Sequence, residues 1–136
     1  MDISNAIQHI NWLSILLATV SAFILGGIWY GPFFGKAWLK EFNISEEKLK
    51  SRSTAKTFGL SFILIFIASF NMEMFIGPDA DITFGAMAGF FTGFGWVATF
   101  LGVLYLFEMH TLKAFLINSG YCVVSLTIIG MILGIM

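Results

Sequence analysis

The sequence has little charge with which to cover a water-facing surface. Of its 136 residues, 58% are hydrophobic and 11% are Asp, Glu, Lys or Arg, whereas an average soluble domain is about half apolar and a quarter charged. A soluble fold of this size buries only about two-thirds of the surface of its unfolded chain. Seven basic and eight acidic residues are too few to cover the remainder. This shortage excludes an ordinary soluble domain and predicts a membrane protein.

Cysteine and catalytic motifs are also scarce. Cys122 is the single cysteine, so it cannot form an internal disulfide and supplies no metal-ligand spacing. Because it lies in an apolar run, we interpret it as a small buried side chain. No motif indicates a nucleophile with its base, a metal cluster or a phosphate-binding loop. We therefore expect no catalytic residue, metal, cofactor or nucleic-acid partner, and a lipid-modifying enzyme is the least favoured function.

Long apolar runs are what the chain has in excess. Four of them can cross a hydrocarbon core that needs about 20 helical residues, namely residues 10–30, 56–76, 83–107 and 113–135. The first does not resemble a cleaved signal peptide, because no Lys or Arg precedes it and it ends in bulky side chains. We predict a single all-α membrane domain over residues 1–136. It is a bundle of four transmembrane helices with a short interfacial amphipathic segment between the first two.

The basic residues lie in only two places along the chain. Six fall in or beside the connection 31–55, and the seventh, Lys113, follows the turn between the third and fourth runs. These two connections lie on the same side of a four-span protein. The positive-inside rule therefore predicts a multi-pass protein of the cell membrane with a cytoplasmic 31–55 connection and both termini outside. The six cations are either a topology signal alone or also a binding surface for anionic lipid.

The connection between the first two runs carries the pattern of two short helices. Trp38 stands between two lysines, as expected of a helix at the level of the headgroups. Ser45, followed by two acidic residues, predicts the start of a second short helix. Before both, Pro32 is expected to end the first long helix. The predicted interfacial anchors are Trp29, Tyr30 and Trp38.

Glycines at spacing four predict close packing between helices, because lipid supplies no hydrophobic force that would hold helices together. They are Gly85, Gly89 and Gly93 in the third run, and Gly130 and Gly134 in the fourth. The second run carries a ridge of Phe58, Phe62, Phe66 and Phe70 at the same spacing. We predict that this ridge packs on the glycines of the third run. The alternative is that the phenylalanines meet lipid and the glycine face meets another subunit, which implies a homo-oligomer.

Polar side chains in membrane-spanning runs are expensive to bury and are therefore candidates for function. The candidates are Asn11, Glu73, Glu108, His110, Lys113, Asn118 and Tyr121. On the predicted outer face, Glu73 joins His9, Asp79 and Asp81 as either an acidic mouth for cations or a solvated rim. On the inner face, Glu108 and Lys113 lie on either side of a tight turn. They form either a structural ion pair or, with His110, a switch coupled to a proton.

Three stretches of the sequence resemble a known family. They are Asn11-Trp12-Leu13, the run from Gly26 to Trp38, and the run from Tyr105 to Glu108 followed by that from Leu112 to Tyr121. Met109-His110-Thr111 between the last two departs from the family pattern. The three stretches are similar to small prokaryotic integral membrane proteins catalogued as domain of unknown function 1761, over essentially the whole chain. The resemblance implies four membrane spans and brings no activity. It singles out Asn11, Trp12, Trp29, Tyr30, Pro32, Trp38, Glu108, Asn118 and Tyr121, of which Asn11 and Asn118 are expected to bridge helices through hydrogen bonds.

Two functions therefore stay open. The first is a self-associating transporter or channel subunit whose pathway follows the polar groups of the third and fourth runs. Four spans leave little room for a solute cavity in one subunit, so transport is expected to need at least a dimer. The second is a structural or accessory membrane protein that binds a partner membrane protein or anionic lipid. Membrane lipids are expected partners in both cases.

Overall fold

The computed structural model describes residues 2–136 and contains no β-strand within that range. Four helices are long and apolar enough to cross a membrane, which confirms the four predicted runs. In chain order, these first to fourth long helices are Trp12–Phe33, Thr54–Ile76, Ile82–Phe107 and Leu112–Ile135. Three short helices accompany them, namely Ile3–Gln8 before the first long helix, and Gly35–Glu41 and Glu46–Ser51 between the first and the second.

Each long helix begins with a side chain that accepts a hydrogen bond from a free backbone amide of the first turn. Asn11, Ser53, Asp81 and Thr111 perform this role in the four long helices. Such caps satisfy amides that have no partner inside the helix. The predicted short helix after Ser45 is present and is capped in the same way, because the Ser45 hydroxyl accepts from the Lys48 amide at 3.1 Å.

The first long helix ends at Phe33, one residue beyond Pro32, where the sequence predicts its end. Residues Trp29–Phe33 form a π-helical turn, in which the Phe34 amide donates to the Trp29 carbonyl at 2.8 Å. A proline ring clashes with the preceding turn of an α-helix and lacks the amide that would bond to it. The wider π-helical turn, whose hydrogen bonds span five residues, accommodates the ring.

The glycine face of the third long helix packs on the fourth long helix. A Cβ atom built at Gly85 would overlap the carbonyl group of Gly130, and one at Gly89 would overlap that of Leu126. Gly93 and Gly134 lie in the same contact. The two backbones therefore touch with no side chain between them, as small residues allow in tightly packed helix pairs.

The prediction that the phenylalanine ridge packs on these glycines is therefore wrong, because the fourth long helix occupies this face. The ridge packs on the first long helix instead. The Trp12 ring stacks on Phe66 and Phe70 with centroids 6.4 and 5.7 Å apart, and Phe23 contacts the ring of Phe62 at 5.7 Å. The small-residue faces of the third and fourth long helices complement each other, and a short turn already holds these helices side by side.

We call the two ends of the long helices the basic end and the acidic end. The basic end comprises residues 34–53 and 108–111, and all seven Lys and Arg residues lie at or beside it. The acidic end comprises residues 2–11, 77–81 and 136. The half of the protein toward the acidic end has a closed apolar core, formed by Ile15, Ala18, Ala22, Met72, Ile76, Ile129 and Leu133.

The second and third long helices diverge toward the basic end. Their mutual contacts fall in residues 82–92 of the third helix, near the acidic end. After a π-helical segment, Gly93–Ala98, the remaining residues Thr99–Phe107 pack mainly on the fourth long helix. This divergence leaves space between the helices in the half of the protein that lies toward the basic end.

Candidate functional site: a cavity at the basic end

A cavity of about 890 Å³ occupies the space between the diverging helices. All four long helices and both short helices of the 34–53 connection contribute to its wall. It extends to Ala22, Ile65 and Cys122, which stand near the midpoints of the first, second and fourth long helices. Its volume is typical of a small-molecule site. Because one chain forms all of it, the expectation that a single subunit leaves little room for a solute is wrong.

A chain of hydrogen bonds crosses the cavity wall and links three long helices. The Tyr30 hydroxyl donates to Asn118 Oδ1 at 2.6 Å, and Asn118 Nδ2 donates to the Tyr105 hydroxyl oxygen at 2.5 Å. The predicted bridging role of Asn118 is therefore confirmed. The Tyr105 oxygen accepts in this chain, and the Tyr105 hydroxyl donates no hydrogen bond within residues 2–136. That hydroxyl can donate to a molecule in the cavity.

Aromatic rings build the wall around this chain. The Tyr30 ring meets Tyr121 and Trp38 edge to face, each with centroids 5.3 Å apart. The Tyr121 hydroxyl donates to the Ala22 carbonyl at 3.0 Å. Trp29 lies behind the wall, where its Nε1 donates to the Ile117 carbonyl at 2.9 Å. All four rings are half-buried. Of the predicted interfacial anchors, Trp29 and Tyr30 therefore bond their polar atoms to the protein itself, whereas Trp38 contributes a ring contact.

Arg52 is the one charged residue in the cavity wall. It follows the short helix Glu46–Ser51, and its guanidinium carbon lies 5.5 Å from the centroid of the Phe58 ring. No carboxylate in the described part of the chain forms an ion pair with it. Arginine carries its charge at any physiological pH and binds carboxylate and phosphate groups through paired N–H donors. The cavity therefore has an uncommitted cation at the basic end.

The turn between the third and fourth long helices lies beside a second cavity of about 270 Å³. The predicted ion pair between Glu108 and Lys113 is absent among residues 2–136. Glu108 Oε2 instead lies 3.1 Å from His110 Nε2. Met109 adopts a left-handed conformation with φ of 60°, which turns the chain tightly and brings Glu108 and His110 together. Thr111 donates its hydroxyl hydrogen bond to Glu41 Oε2 at 2.7 Å, which fastens the turn to the first short helix of the connection.

Asn11 and Glu73 lie at the acidic end, far along the helices from the cavity. Glu73 Oε1 accepts from the Asn11 amide at 3.2 Å, and Asn11 Nδ2 donates to the Met136 carbonyl at 3.3 Å. Asn11 therefore bridges helices as predicted. Glu73 is only 8% exposed, so it does not join an acidic mouth or rim, and Asp81 caps the third long helix. No group of three or more His, Cys, Asp or Glu residues that could hold a metal occurs in the described chain.

A family model described as "Protein of unknown function (DUF1761)" matches residues 13–134. The chain belongs to this family. Comparisons with curated proteins and with solved structures find no match. Because the DUF1761 family carries no assigned activity, the function has to be argued from the site itself.

The residues by which the sequence resembles the DUF1761 family lie at several different places in the structure. Four of them, Tyr30, Trp38, Asn118 and Tyr121, line the cavity. Glu108 lies at the neighbouring turn. Asn11 and Trp12 precede the matched range and lie toward the acidic end. The cavity is therefore where the largest group of these residues meets, and it is the candidate functional site of this DUF1761 protein.

Three cavity residues of the DUF1761 protein that carry a charge or a hydroxyl group were not among the sequence candidates, namely Arg52, Ser61 and Tyr105. Tyr105 carried a usable signal. Helical side chains lean toward the start of their helix, so a tyrosine near the end of the third long helix reaches back to the deeper Asn118 of the antiparallel neighbour. The sequence could not distinguish Arg52 from the other basic residues of the 31–55 connection, because the feature that sets Arg52 apart is its position in the cavity wall.

Proposed function

We propose that this protein is a multi-pass protein of the cell membrane that binds an amphipathic organic anion in its cavity and acts as a small carrier. The observation that carries this proposal is the cavity of about 890 Å³, formed within one chain and extending to the middle of the long helices. A site of this size with mostly apolar walls and a few polar groups is typical of small-molecule binding.

The surface of the long helices supports a membrane environment. Large apolar side chains of the third long helix point away from the protein, with Phe91 60%, Trp96 68% and Phe100 70% exposed. Lipid tails provide a favourable surrounding for such groups, whereas water does not. All seven basic residues lie at or beside one end, which supports a cytoplasmic basic end and both termini outside.

The chemistry of the wall supports an amphipathic anion as the ligand. Arg52 offers a charge without an acidic partner, and the Tyr105 hydroxyl offers a free donor. A carboxylate or phosphate group accepts from both kinds of donor. The aromatic and aliphatic side chains of the remaining wall, among them Phe23, Phe58 and Leu101, suit an apolar body attached to that group.

The one-sided shape of the cavity supports a carrier. The cavity lies toward the basic end, and the closed apolar core fills the other half of the protein. Carriers expose a central site to one side of the membrane at a time. A site that reaches the middle of the helices from one end has the form that such a state requires.

Quenching of tryptophan fluorescence tests the ligand class, because Trp38 lines the cavity. We expect a brominated fatty acid to quench Trp38 saturably, and a brominated alkyl trimethylammonium of the same chain length to do so only weakly. Trp38→Phe should remove the saturable part. Arg52→Gln should weaken fatty-acid binding about tenfold, because Arg52 is exposed and a charge-assisted hydrogen bond there contributes about 1.5 kcal/mol, the lower end of the usual range.

Lys50→Gln is the matched control, since Lys50 is an exposed cation of the same connection outside the cavity. It should leave fatty-acid binding unchanged. Equal quenching by both amphiphiles, or equal weakening by both substitutions, would contradict the proposed ligand class. Saturable binding without flux of the fatty acid in reconstituted vesicles would favour an accessory role over a carrier.

Self-association and binding to a partner membrane protein remain predictions. The glycine faces that motivated them are occupied within one chain. A second copy or a partner would therefore use another surface, such as the exposed aromatic face of the third long helix. Size measurement of the purified protein in mild detergent tests this, and a monomer at every concentration would remove the oligomer from the proposal.

A further inference from the structure

Glu73 is a buried carboxyl group with an incomplete set of partners. Its Oε1 accepts one hydrogen bond, from the Asn11 amide, while Oε2 has no partner in the described chain. No basic side chain within residues 2–136 forms an ion pair with it. An ionised carboxylate that is buried without a counter-charge is strongly unfavourable. The neutral, protonated group fits this environment better than the anion does.

A row of residues connects Glu73 to the cavity. Ser61, Ile65, Ser69 and Glu73 recur every four residues along the second long helix and so lie along one face of it. Ser61 and Ile65 line the cavity. Ser69, one turn before Glu73, is fully buried, and its hydroxyl oxygen also lacks a partner. Two unpartnered polar groups therefore lie in line with the cavity, beyond its inner limit.

We propose that Glu73 is a proton-binding site at the acidic end, about two helical turns beyond the cavity residue Ile65, and that it holds a proton in this conformation. The carboxylate takes a proton from solution at the acidic end and forms a neutral carboxyl group, with no other bond made or broken. Oε1 then keeps its hydrogen bond to the Asn11 amide, and Oε2 bears the proton. Release of the proton leaves a buried anion, which favours separation of the helices at this end.

The other titratable groups near Glu73 belong to two elements and are engaged elsewhere or exposed. In the N-terminal segment, the Asp2 side chain accepts from the Ser4 amide, and His9 Nδ1 lies 2.8 Å from the Asn5 carbonyl oxygen. In the connection before the third long helix, Asp81 accepts from the Phe84 amide and Asp79 is exposed. The fourth long helix contributes the Met136 carbonyl to Asn11.

Infrared spectroscopy of the full chain in a detergent without ester groups, such as an alkyl maltoside, tests the proposal directly. A protonated carboxyl group gives a C=O stretching band separate from that of a carboxylate. We expect this band at neutral pH in the wild type and its complete loss in Glu73→Gln, whereas Asp79→Asn should retain it. Absence of the band from the wild type at neutral pH, or its survival in Glu73→Gln, would overturn the proposal. If the Glu73→Gln variant cannot be produced as folded protein, the presence or absence of the band in the wild-type spectrum at neutral pH tests the proposal by itself.

Thermal unfolding gives a second, independent measurement. The wild-type midpoint should fall as pH rises through the range in which the infrared band disappears, while Glu73→Gln, which mimics the neutral group, should lose this dependence. Stabilisation of the wild type by Na⁺ but not by choline at constant pH would show that a metal ion occupies the site, and would overturn the proposal. Neither measurement involves a cavity ligand, so the result is independent of the proposed carrier function.

Discussion

Asn118 illustrates how far the sequence predicts a single residue. An asparagine inside an apolar run is expensive to bury alone, so a bridging hydrogen bond is a sound expectation. Its partners could not be predicted, because Tyr30 lies 88 residues away and the contact depends on how the first long helix is rotated. The polarity of Asn118 predicts that its side chain forms a hydrogen bond, whereas the packing of the helices determines which residue is its partner.

We expect Asn118→Ala to lower the free energy of unfolding by about 1–2 kcal/mol, because it leaves the Tyr30 and Tyr105 hydroxyls without their shared partner. Unfolding of the purified protein by a denaturing detergent would measure the change. Asn71→Ala is the matched control, since Asn71 is exposed on the second long helix and should be neutral. An equal loss of stability in both variants would argue against the hydrogen-bond chain.

Cys122 provides a reporter for the cavity, because it is the single cysteine and its side chain lines the wall. We expect a fatty acid to slow the reaction of Cys122 with a maleimide in the wild type. In Arg52→Gln, the same protection should require about tenfold more ligand. Reaction rates followed by mass spectrometry would show this. A rate that is insensitive to the fatty acid would place the ligand outside the cavity.

At the scale of the helices, the spacing of residues predicts which side chains share one face of a helix, but not which other helix that face contacts. The glycines at spacing four do form a close contact, and the phenylalanine ridge does pack on a helix. The pairing was wrong because the second and fourth long helices are both antiparallel to the third, and periodicity does not distinguish between them. The π-helical turn that contains Pro32 at the end of the first long helix was not predicted, since such a turn has no clear sequence signal.

Glycine substitutions in the third long helix test the helix contact. Gly89→Ala should cost about 1–3 kcal/mol of stability, because the new methyl group would overlap the Leu126 carbonyl group. Gly95→Ala is the control, since a Cβ at Gly95 meets nothing within 4 Å. It should be neutral or stabilising by up to about 1 kcal/mol through helix propensity. The unfolding midpoint in detergent measures both, and equal behaviour of the two variants would contradict the contact.

At the scale of the whole molecule, composition and charge placement predict the number of long helices and a membrane topology. They could not predict the cavity, because it arises from the divergence of the second and third long helices. That divergence depends on which helix packs on the glycine face of the third long helix. The spacing of the glycines did not determine this helix.

The topology can be tested with single cysteines introduced into a Cys122→Ser background. Lys48→Cys should react with an impermeant maleimide only from the cytoplasmic side, and Asp79→Cys only from the outside. Both positions are exposed, so accessibility does not limit the reaction. Labelling of intact cells and of inverted vesicles would separate the two sides. The reverse pattern would place the basic end outside and overturn the orientation of the cavity.

The unequal anchoring of the third long helix has a mechanical consequence. Residues 82–92 are clamped to the fourth long helix by glycine contacts, whereas Thr99–Phe107, beyond the π-helical segment, have only that helix as a main neighbour. The first half of the helix is therefore held closely by its neighbour, and the second half, which carries Tyr105 near its end, is held by fewer contacts. A movement of Thr99–Phe107 away from or toward the second long helix would widen or narrow the cavity while the glycine contacts of residues 82–92 stay in place.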